Sequence, residues 1–476
     1  MKKTGDLGIF FNPMSVAVIG ATERQGSWGS LMMENLLSRK YGGDIYPVNI
    51  RAKRVYDIPA FKDVREIPGI LDLAVLTIPE DALEDVIISC GQKQVGGVII
   101  VAAGFGETSE QGLDRERALV RLAQSYGIRI LGPNSSGAFN LHDHFIAAGA
   151  RSRKIQATSL AAITQGAFAF QDILAAGANR GMGVGKFVHT GNECDLTATG
   201  FIEYFGQDPD VKAIVLYIES IRDSRHFIDI VSQVTRRKPV VVYKGGRTPG
   251  SARAARSHTA ALAGKIEIYQ GLFRQVGIIV SPTMELLLPL GHALIERPPM
   301  RGKRVGIVTQ GGSWGVALSD SLEEAGLSVP ELSSTLQKHL HRMGMPERAS
   351  TRNPIDIGAI GPSHSLDMTL AIGREVLASG QIDALILHGI GRPVMLDNPD
   401  SAIEPAFLET EKRFIQGFDA LEKEVQIPVL IGCHYTPWES QAISDLNTQG
   451  IRIYNRVDEI AQLLSLMYQY WKPRLT

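Results

Sequence analysis

The fold of this chain is set first by the segment Val16-Ala17-Val18-Ile19-Gly20-Ala21-Thr22-Glu23-Arg24-Gln25-Gly26-Ser27-Trp28-Gly29. Four apolar residues lead into a glycine-containing turn, and a longer amphipathic stretch follows. Short apolar runs that end in such turns are typical of buried parallel strands. Glycine lets the backbone approach a phosphate, and a helix N-terminus binds one well. The segment therefore predicts a Rossmann-like strand, turn and helix, with an anion-binding helix end at Gly20.

The same alternation of apolar runs and amphipathic segments continues along the chain. Further runs cover residues 73–78, 97–101, 160–163, 213–218, 240–242, 305–308, 384–387 and 429–431. This pattern predicts an α/β fold of parallel sheets covered by helices. In such sheets ligands bind beyond the carboxyl ends of the strands, so the turns after these runs are the candidate sites.

Two of the later segments open alike. Residues 160–168 read Leu-Ala-Ala-Ile-Thr-Gln-Gly-Ala-Phe, and residues 305–315 read Val-Gly-Ile-Val-Thr-Gln-Gly-Gly-Ser-Trp-Gly. Each predicts a strand, a Thr-Gln-Gly turn and a helix. The repetition indicates a duplicated flavodoxin-like unit, in which Gly166 and Gly311 each begin a helix whose N-terminus can receive an anion.

The length of 476 residues and two segments typical of linkers indicate about three domains. One seam covers residues 140–158 and contains three basic residues. The other is a proline-rich and charged linker at residues 296–303. The predicted domains are residues 1–145, 146–296 and 303–476.

Composition excludes several classes of protein. The formal net charge is -1, with 44% hydrophobic and 21% charged residues, so nothing favours nucleic acid or an anionic membrane as partner. The three cysteines, Cys90, Cys194 and Cys433, are widely spaced and fit neither a disulfide framework nor a zinc site. No apolar run approaches the length of a membrane span. The chain is expected to be a cytoplasmic enzyme of small molecules.

The first turn departs from the dinucleotide fingerprint, because Thr22 stands where a second glycine is required. After the next predicted strand, Asn49 is followed by Arg51, Lys53 and Arg54, whereas an NAD site has an acidic residue there. Cations favour a ribose phosphate, which leaves NADP and coenzyme A. An NADP-dependent oxidoreductase is disfavoured, because no hydride-transfer residues accompany the later turns 77–79 and 132–134.

The most informative stretch begins with Lys244-Gly245-Gly246-Arg247-Thr248 and continues to Ala254-Ala255-Arg256-Ser257-His258-Thr259-Ala260-Ala261-Leu262-Ala263-Gly264. A histidine among small residues can approach a phosphate closely, and neutral imidazole is a competent nucleophile. The chain has 11 histidines, and most histidines are structural. The pattern alone therefore leaves the role of His258 open.

This loop resembles the phosphohistidine loop of the NDP-forming acyl-CoA synthetases, relatives of succinyl-CoA synthetase that include the ADP-forming acetyl-CoA synthetases. Segments 12–21, 46–49, 104–107 and 132–134 are similar to the CoA-binding domain of that family. Segments 189–195 and 216–220 match its ligase domain, and segments 311–315 and 353–358 match the domain that succinyl-CoA synthetase keeps on its other subunit. The resemblance implies a Rossmann-like CoA-binding domain followed by two flavodoxin-like domains of the succinyl-CoA synthetase type.

The resemblance also implies site residues. His258 would carry the phosphoryl group, and Glu219 would hydrogen-bond its ring. Coenzyme A would bind at Gly20, Thr22, Gly26, Ser27, Asn49, Arg51, Lys53, Thr77, Pro79 and Asn134. Phosphate would bind at Gln165, Gly166, Ala167, Gly311, Gly312 and Ser313. No metal ligand is predicted on this chain.

The implied reaction interconverts acyl-CoA, phosphate and ADP with the carboxylic acid, CoA and ATP. No ATP-grasp module is expected on this chain, so the resemblance implies that ADP, ATP and Mg²⁺ bind to a separate ATP-grasp beta subunit, in a heterotetramer.

Several residues depart from the family pattern. Ala167 replaces a glycine expected near the phosphate, Ser135 a cysteine, Thr199 an aspartate and Ile50 a proline. The altered turn at Ala167 supports an alternative, a non-catalytic CoA-binding regulatory paralogue. Retention of both His258 and Glu219 opposes that alternative. The sequence does not identify the acyl group.

Overall fold

The computed structural model of the protein describes residues 6–149, 155–166, 168–259, 265–360, 366–391 and 403–475. The side chains of residues 168, 255–259, 359–360 and 403–407 lie outside this description. The chain divides into two compact units. Unit 1 comprises Met1–Ala175 and Gly183–Gly291, and unit 2 comprises Ala176–Met182 and His292–Thr476.

Unit 1 begins with a five-stranded parallel sheet. Its region contains the strands β1 (Ser15–Ile19), β2 (Asp44–Val48), β3 (Arg54–Val55), β4 (Ile58–Pro59), β5 (Leu73–Leu76), β6 (Gly97–Ile100) and β7 (Arg129–Leu131), and the helices α1 (Trp28–Ser38), α2 (Leu83–Gln92) and α3 (Glu110–Ser125). The strand order in the sheet is β2-β1-β5-β6-β7, and β3 and β4 form a separate hairpin. Each strand of the sheet except the edge β2 is fully or almost fully buried, as the apolar runs predict.

The second sheet of unit 1 has seven strands. Its elements are β8 (Gly137–Asn140), β9 (Phe145–Ala148), β10 (Leu160–Thr164), β11 (Lys186–His189), β12 (Ala213–Ile218), β13 (Val240–Lys244) and β14 (Ile279–Val280), with helices α4 (Phe168–Asn179), α5 (Ala198–Gln207), α6 (Ser224–Thr235), α7 (Pro249–Thr259), α8 (Ile266–Gln275) and α9 (Leu287–Glu296). The last residues of α4, from Ala176, and of α9, from His292, belong to unit 2. The order is β14-β13-β12-β10-β11-β8-β9. The hairpin of β8 and β9 adds antiparallel strands beside β11.

One hydrophobic core joins the two sheets of unit 1. It combines side chains of the first sheet with side chains of β10, β12 and α5. Phe11, fully buried, packs against Phe201, Tyr204 and Phe205 of α5 at ring-centroid distances of 6.0, 5.2 and 5.0 Å. Burial of aromatic side chains contributes strongly to such contacts, so the segment before β1 holds the first sheet onto the second.

Unit 2 contains an all-parallel sheet of order β16-β15-β17-β18-β19. Its elements are β15 (Val305–Thr309), β16 (Ile355–Asp356), β17 (Ala384–His388), β18 (Val429–Gly432), β19 (Ile453–Tyr454), α10 (Gly312–Glu324), α11 (Ser334–Arg342), α12 (Leu366–Ala378), α13 (Ile403–Val425), α14 (Gln441–Thr448) and α15 (Val457–Leu475). Its own core is formed by this sheet with α11, α12, α13 and α14.

The apolar runs of the sequence are confirmed as strands, with ends that differ by at most two residues. One local prediction is wrong: helix α1 begins at Trp28, with Ser27 as its N-cap, and not at Gly20. Serine is a preferred N-cap residue because its hydroxyl accepts a backbone N–H, so residues 20–26 remain a turn. The boundaries of the three predicted domains stay predictions. In the part of the chain that the structure describes, no helix is long and apolar enough to cross a membrane.

Candidate active site

The turn after β1 is held tightly against the end of β5. Gly20 has φ +91°, and a Cβ at this position would lie 2.8 Å from Thr77 Oγ1. Thr77 in turn donates its hydroxyl and its backbone amide to the carbonyl of Ile19, at 3.0 and 2.9 Å. Gly20 is therefore required by close packing, and Thr77 fixes the strand end beside it.

The helix end of this first site lies at Gly26 and Ser27. Ser27 Oγ accepts the backbone N–H of Ser30 at 3.3 Å and donates to the carbonyl of Arg24 at 2.7 Å. Gly26 has φ +78° and open space where a side chain would project. Thr22 Oγ1 accepts the amide of Arg24 at 3.2 Å. The turn thus keeps an uncovered glycine next to a helix N-terminus, where a phosphate can approach the backbone.

Asn49 shapes the loop after β2. Its Nδ2 donates to the carbonyl of Ala21 at 2.8 Å, and its Oδ1 accepts the amides of Arg51 and Ala52, both at 2.8 Å. The side chains of Arg51 and Lys53 are exposed. Asn49 therefore connects the two loops predicted to bind coenzyme A, while the two cations are accessible to a ligand phosphate.

The turn that contains Asn134 contacts the second sheet. The amide of Asn192 donates to the carbonyl of Pro133 at 2.9 Å, and Asn134 Nδ2 donates to Asn192 Oδ1 at 3.3 Å. Gly191 has φ +60°, and a Cβ there would lie 2.2 Å from the Pro133 carbonyl oxygen. The structure thus brings the loops after β7 and β11 together. Pro79, by contrast, precedes a short 3₁₀ helix, Glu80–Ala82.

A cleft of about 400 Å³ lies at this junction of the two sheets. Its lining includes four carboxylates, one arginine and one tyrosine: Glu107, Glu116, Glu193, Glu219, Arg222 and Tyr269. These residues follow several different strands, or lie on α3 and α8. A cleft at the carboxyl ends of parallel strands is where ligands bind in α/β folds.

Asn192 links the two sheets through acidic side chains of the cleft. Its Nδ2 donates to Glu107 Oε2 and to Glu116 Oε1, both at 2.5 Å. Glu107 also accepts the amide of Gly104 at 2.5 Å. Burial opposes ionisation of Glu107, but the bonds from Gly104 and Asn192 outweigh it and lower the pKa of this carboxyl. Glu107 is therefore a fixed negative charge of the cleft.

Gln165, predicted to bind phosphate, organises the cleft wall. Its Oε1 accepts the amides of Glu219 and Ser220 at 2.6 and 3.0 Å. Its Nε2 donates to Glu193 Oε1 at 2.9 Å and to the Ser220 carbonyl at 3.0 Å. Burial raises the pKa of Glu193, although the bond from Gln165 opposes the shift. The amide of Gln165 thus holds the loop that bears Glu219 against the loop that bears Glu193.

Glu219 is 7% exposed and faces the cleft. Its Oε1 accepts the hydroxyl of Tyr217 at 2.9 Å. Burial, and then the nearby charge of Glu219, raise the pKa of Tyr217, which keeps this hydroxyl protonated as a donor. The carboxylate predicted to orient a histidine is thus itself oriented.

His189 has a structural role near Gln165. Its Nδ1 accepts the amide of Ser136 at 2.7 Å, and its Nε2 lies 3.3 Å from the Gln165 carbonyl oxygen. Since Nδ1 is an acceptor, these contacts assign the proton to Nε2. Ser135, at the position of the family cysteine, donates to the His189 carbonyl at 2.6 Å. Both ring nitrogens of His189 are therefore engaged, which disfavours it as a nucleophile.

His258 lies on helix α7, eleven residues long, which follows β13 and the turn at Gly245. Its side chain lies outside the described residues, as does all of Ala167. Gly166 is described: its amide donates to Thr164 Oγ1 at 3.0 Å, and a Cβ there would lie 2.8 Å from the Tyr217 ring. A glycine at 166 is thus demanded by the tyrosine that contacts Glu219.

Unit 2 repeats the geometry of this turn. Thr309 Oγ1 donates to the carbonyl of Gly311 at 3.4 Å, as Thr164 Oγ1 donates to that of Gly166 at 2.6 Å. Helix α10 begins at Gly312, and Gly312 and Ser313 are exposed at its first turn. Gly311, the N-cap, has no side chain to satisfy the first amides, so these are open to an anion.

Comparison with known proteins assigns both sheets of unit 1. Residues 14–140 match the family described as CoA binding domain, and residues 157–294 match the succinyl-CoA ligase like flavodoxin domain. The alpha subunit of the ADP-forming acetate–CoA ligase II of Pyrococcus furiosus is 38% identical over 80% of this chain and 81% of its own length. The alpha subunit of ligase I from the same organism is 31% identical over 98% of this chain and 99% of its own.

The chain belongs to the NDP-forming acyl-CoA synthetase family. A solved member is similar along the whole chain: the dinucleotide-forming acetyl-coenzyme A synthetase 1 of Ca. Korarchaeum cryptofilum, determined in complex with phosphate and ADP. It has a TM-score of 0.84 and 30% identity, and the match covers 98% of this chain and 97% of that one. The predicted family and fold class are thereby confirmed.

Several cleft residues of this NDP-forming acyl-CoA synthetase chain were absent from the sequence-based site. Glu107, Asn192 and Glu193 lie inside motifs that carry the family resemblance, so the motifs located them without giving their roles. Arg222 and Tyr269 have no comparable signal. Lys244 directly precedes the glycines of the His258 loop, and a buried lysine at a strand end is visible only once the sheet is formed.

Proposed function

We propose that this chain is the CoA-binding subunit of an acid–thiol ligase that interconverts acyl-CoA, phosphate and ADP with carboxylic acid, CoA and ATP. Family membership supports the reaction class, and the CoA-binding match at residues 14–140 supports the cofactor. The main support for placing the reaction at this site is the cleft at the junction of the two sheets of unit 1. Glu219 lines this cleft, and the hydroxyl of Tyr217 orients its carboxylate.

The proposed chemistry has three steps. A phosphate oxygen attacks the thioester carbonyl carbon, the C–S bond breaks, and CoA leaves as the thiolate to give an acyl phosphate. A ring nitrogen of His258 then attacks the phosphorus, and the carboxylate departs as the P–O bond breaks. Finally the phosphoryl group moves from His258 to the terminal phosphate of ADP, which forms ATP and restores the histidine.

The residues of this chain bind, orient and hold charge in these steps. Arg51 and Lys53 would contact the ribose phosphate of CoA, with the backbone at Gly26 and Ser27 near its diphosphate. Glu219 would accept a ring N–H of His258, which fixes the tautomer and offsets positive charge on the imidazole. Gly166 and Gly312 provide helix ends for phosphate in their respective units.

The nucleotide belongs to a partner in this proposal. The relatives from Pyrococcus furiosus are named as alpha subunits. An ATP-grasp beta subunit would supply the ADP and Mg²⁺ site, in a heterotetramer, and the complex would work in the cytoplasm. Cys90, Cys194 and Cys433 are free thiols, which agrees with a reducing compartment.

The test is co-purification of the chain with the product of its genomic neighbour, followed by a screen of acyl-CoAs for phosphate-dependent ATP formation. We expect ATP only when both chains, an acyl-CoA, phosphate, ADP and Mg²⁺ are present. The isolated chain should bind CoA and form no ATP. If the complex binds CoA yet forms no ATP from any acyl-CoA, the regulatory alternative is favoured.

A further inference from the structure

A buried lysine, Lys244, lies next to Tyr269, one of the residues that line the cleft. Lys244 ends β13 and pairs in register with Ile218 of β12, the residue before Glu219. It is 1% exposed and is among the largest fully buried side chains of the described residues. Lys244 and Glu219 therefore lie at the carboxyl ends of adjacent parallel strands, and Glu219 is one of the lining residues of the cleft.

The contacts of Lys244 leave its charge without direct neutralisation. Its Nζ donates to the Gly245 carbonyl at 2.5 Å and lies 4.5 Å from the centroid of the Tyr269 ring. Among the described residues it forms no ion pair with a carboxylate. A carbonyl and an aromatic face stabilise an ammonium only in part, so this group is costly to bury and its retention calls for a role.

The groups around Lys244 come from β12, with the residue that follows it, and from α8. Glu219 follows β12, and among the described residues its charge is the one that acts on the ammonium. Tyr269 faces it from α8, and Tyr217 faces Glu219 from β12. Burial lowers the pKa of Lys244 to about 8, and Glu219 opposes this shift. The ammonium thus predominates below that pH and is lost as the pH rises through it.

The lysine also contacts the start of the loop that leads to His258. The carbonyl that accepts its hydrogen bond belongs to Gly245, and a Cβ at Gly245 would lie 2.8 Å from the Tyr217 hydroxyl. Gly246 follows with φ +72°. The ammonium therefore anchors the first residue of this loop between the strand end and the tyrosine that contacts Glu219.

We propose that Lys244 is a positioning residue for phosphoryl transfer: its buried ammonium supplies positive charge next to the strand end that bears Glu219 and fixes the start of the His258 loop. The inference rests on the proposed function of Glu219 and His258. It also explains how a cleft lined by four carboxylates can accept a phosphate. Arg222 is the one lysine or arginine among the described lining residues, and Lys244 adds a second positive charge next to the lining residue Tyr269.

The test compares variants in the complex with the partner subunit. The rate of His258 labelling from ATP is measured between pH 6 and 10 for the unmodified chain, Lys244→Met and Lys244→Arg. We expect the unmodified rate to fall with a midpoint near pH 8. In Lys244→Arg the fall should move upward by at least about one pH unit, because arginine stays charged. In Lys244→Met the rate at pH 7 should drop by about tenfold or more, and the fall near pH 8 should vanish.

The matched control is Lys186→Met. Lys186 is a buried lysine of the same sheet, but it pairs with Asp208 at the opposite end. Its pH profile should match that of the unmodified chain. Lys244→Met should fold, because an apolar side chain of similar size removes a poorly compensated charge, and CoA binding by calorimetry verifies this.

The outcomes are distinct. If the unmodified chain is labelled and His258→Ala is not, while Lys244→Met keeps the full rate or Lys244→Arg keeps the fall near pH 8, the role of Lys244 is wrong and the proposed function stands. If the unmodified rate shows no fall between pH 7 and 9, the role of Lys244 is also wrong, even should Lys244→Met fail to fold. If the unmodified chain is never labelled, both proposals are overturned.

Discussion

The seven-stranded sheet has a buried lysine at each end of its parallel strands, and the two lysines differ in their partners. At the amino end of β11, Lys186 is 3% exposed and its Nζ lies 2.5 Å from Asp208 and 3.4 Å from Asp210. At the carboxyl end of β13, Lys244 is 1% exposed and meets a carbonyl and an aromatic ring. The charge of Lys186 is neutralised by a carboxylate, whereas Lys244 has no ion pair with a carboxylate among the described residues.

This difference indicates that the amino end of the sheet contributes to stability and that its carboxyl end serves the proposed reaction. In a buried ion pair the two charges neutralise each other, and removal of one partner leaves the other charge buried and uncompensated. An incompletely paired charge instead acts on whatever enters the adjacent cleft. Changes at the carboxyl end should therefore alter phosphoryl transfer with little effect on folding, and changes at the amino end should do the reverse.

Among changes at the carboxyl end of the sheet, His258→Ala is expected to have the largest effect on phosphoryl transfer. No other residue is proposed to store the phosphoryl group, so acid-labile label from ATP, Mg²⁺ and the partner should be absent and turnover should be lost. Phosphohistidine is measured by its loss in acid and survival in base. The control is His226→Ala, at an exposed position on α6. Full activity in His258→Ala would sink the mechanism.

Next in size is Glu219→Gln, which keeps the shape of the side chain and removes its charge. Phosphorylation should slow by about 10² to 10⁴, the range for a positioned proton-handling or orienting group, while CoA binding and the melting temperature stay unchanged. Quenched labelling time courses measure the phosphorylation rate, and calorimetry measures CoA binding and the melting temperature. Exposed Glu267→Gln on α8 provides the control. A normal labelling rate in Glu219→Gln would show that the carboxylate does not orient the histidine.

At the amino end, Lys186→Met should lower the free energy of unfolding by about 3 kcal/mol, because Asp208 is left buried without its partner. Denaturant unfolding measures the loss. The labelling rate of the folded fraction should equal that of the unmodified chain. Lys212→Met, at an exposed lysine of the same unit, should change neither quantity. An altered labelling rate in Lys186→Met would break the division between the two ends.

The smallest effect concerns the carboxyl end of the first sheet. Dephospho-CoA should bind about three- to tenfold more weakly than CoA, since exposed ion pairs contribute only modestly. Arg51→Ala together with Lys53→Ala should remove that difference, and Arg117→Ala on the exposed side of α3 should retain it. Isothermal calorimetry at low salt gives the ratio. Equal affinity for the two ligands in the unmodified chain would exclude the role given to these cations.

Much of the fold could be predicted because its signals are local. The strand β1 was located from its four apolar residues, and the two Thr-Gln-Gly turns were recognised as repeats before any contact was known. The N-terminus of α1 was placed wrongly at Gly20, since glycine signals a turn whether or not a helix starts there. Ser27, a better cap in the same segment, was the available signal.

The candidate site could be predicted only in part, because motifs name residues without their contacts. Asn49 was expected to bind coenzyme A, and the structure shows that its amide also holds Ala21, Arg51 and Ala52 together. Gln165 is expected at a phosphate, which stays a prediction, and the structure shows that its side chain joins the loops of Glu193 and Glu219. These contacts depend on groups far apart in the chain.

The sequence by itself determined the alternation of strands and helices, the glycine turns and the family, because each follows from a short run of residues. Only the tertiary structure decided that Glu107 and Asn192 meet at one cleft, and that Lys244 ends the strand next to the one that Glu219 follows. The physical reason is strand order. Residues after β11, β12 and β13 become neighbours when the parallel strands of the second sheet are assembled with their carboxyl ends at one edge. The shared core of unit 1 packs the first sheet, which bears Glu107 after β6, against the second.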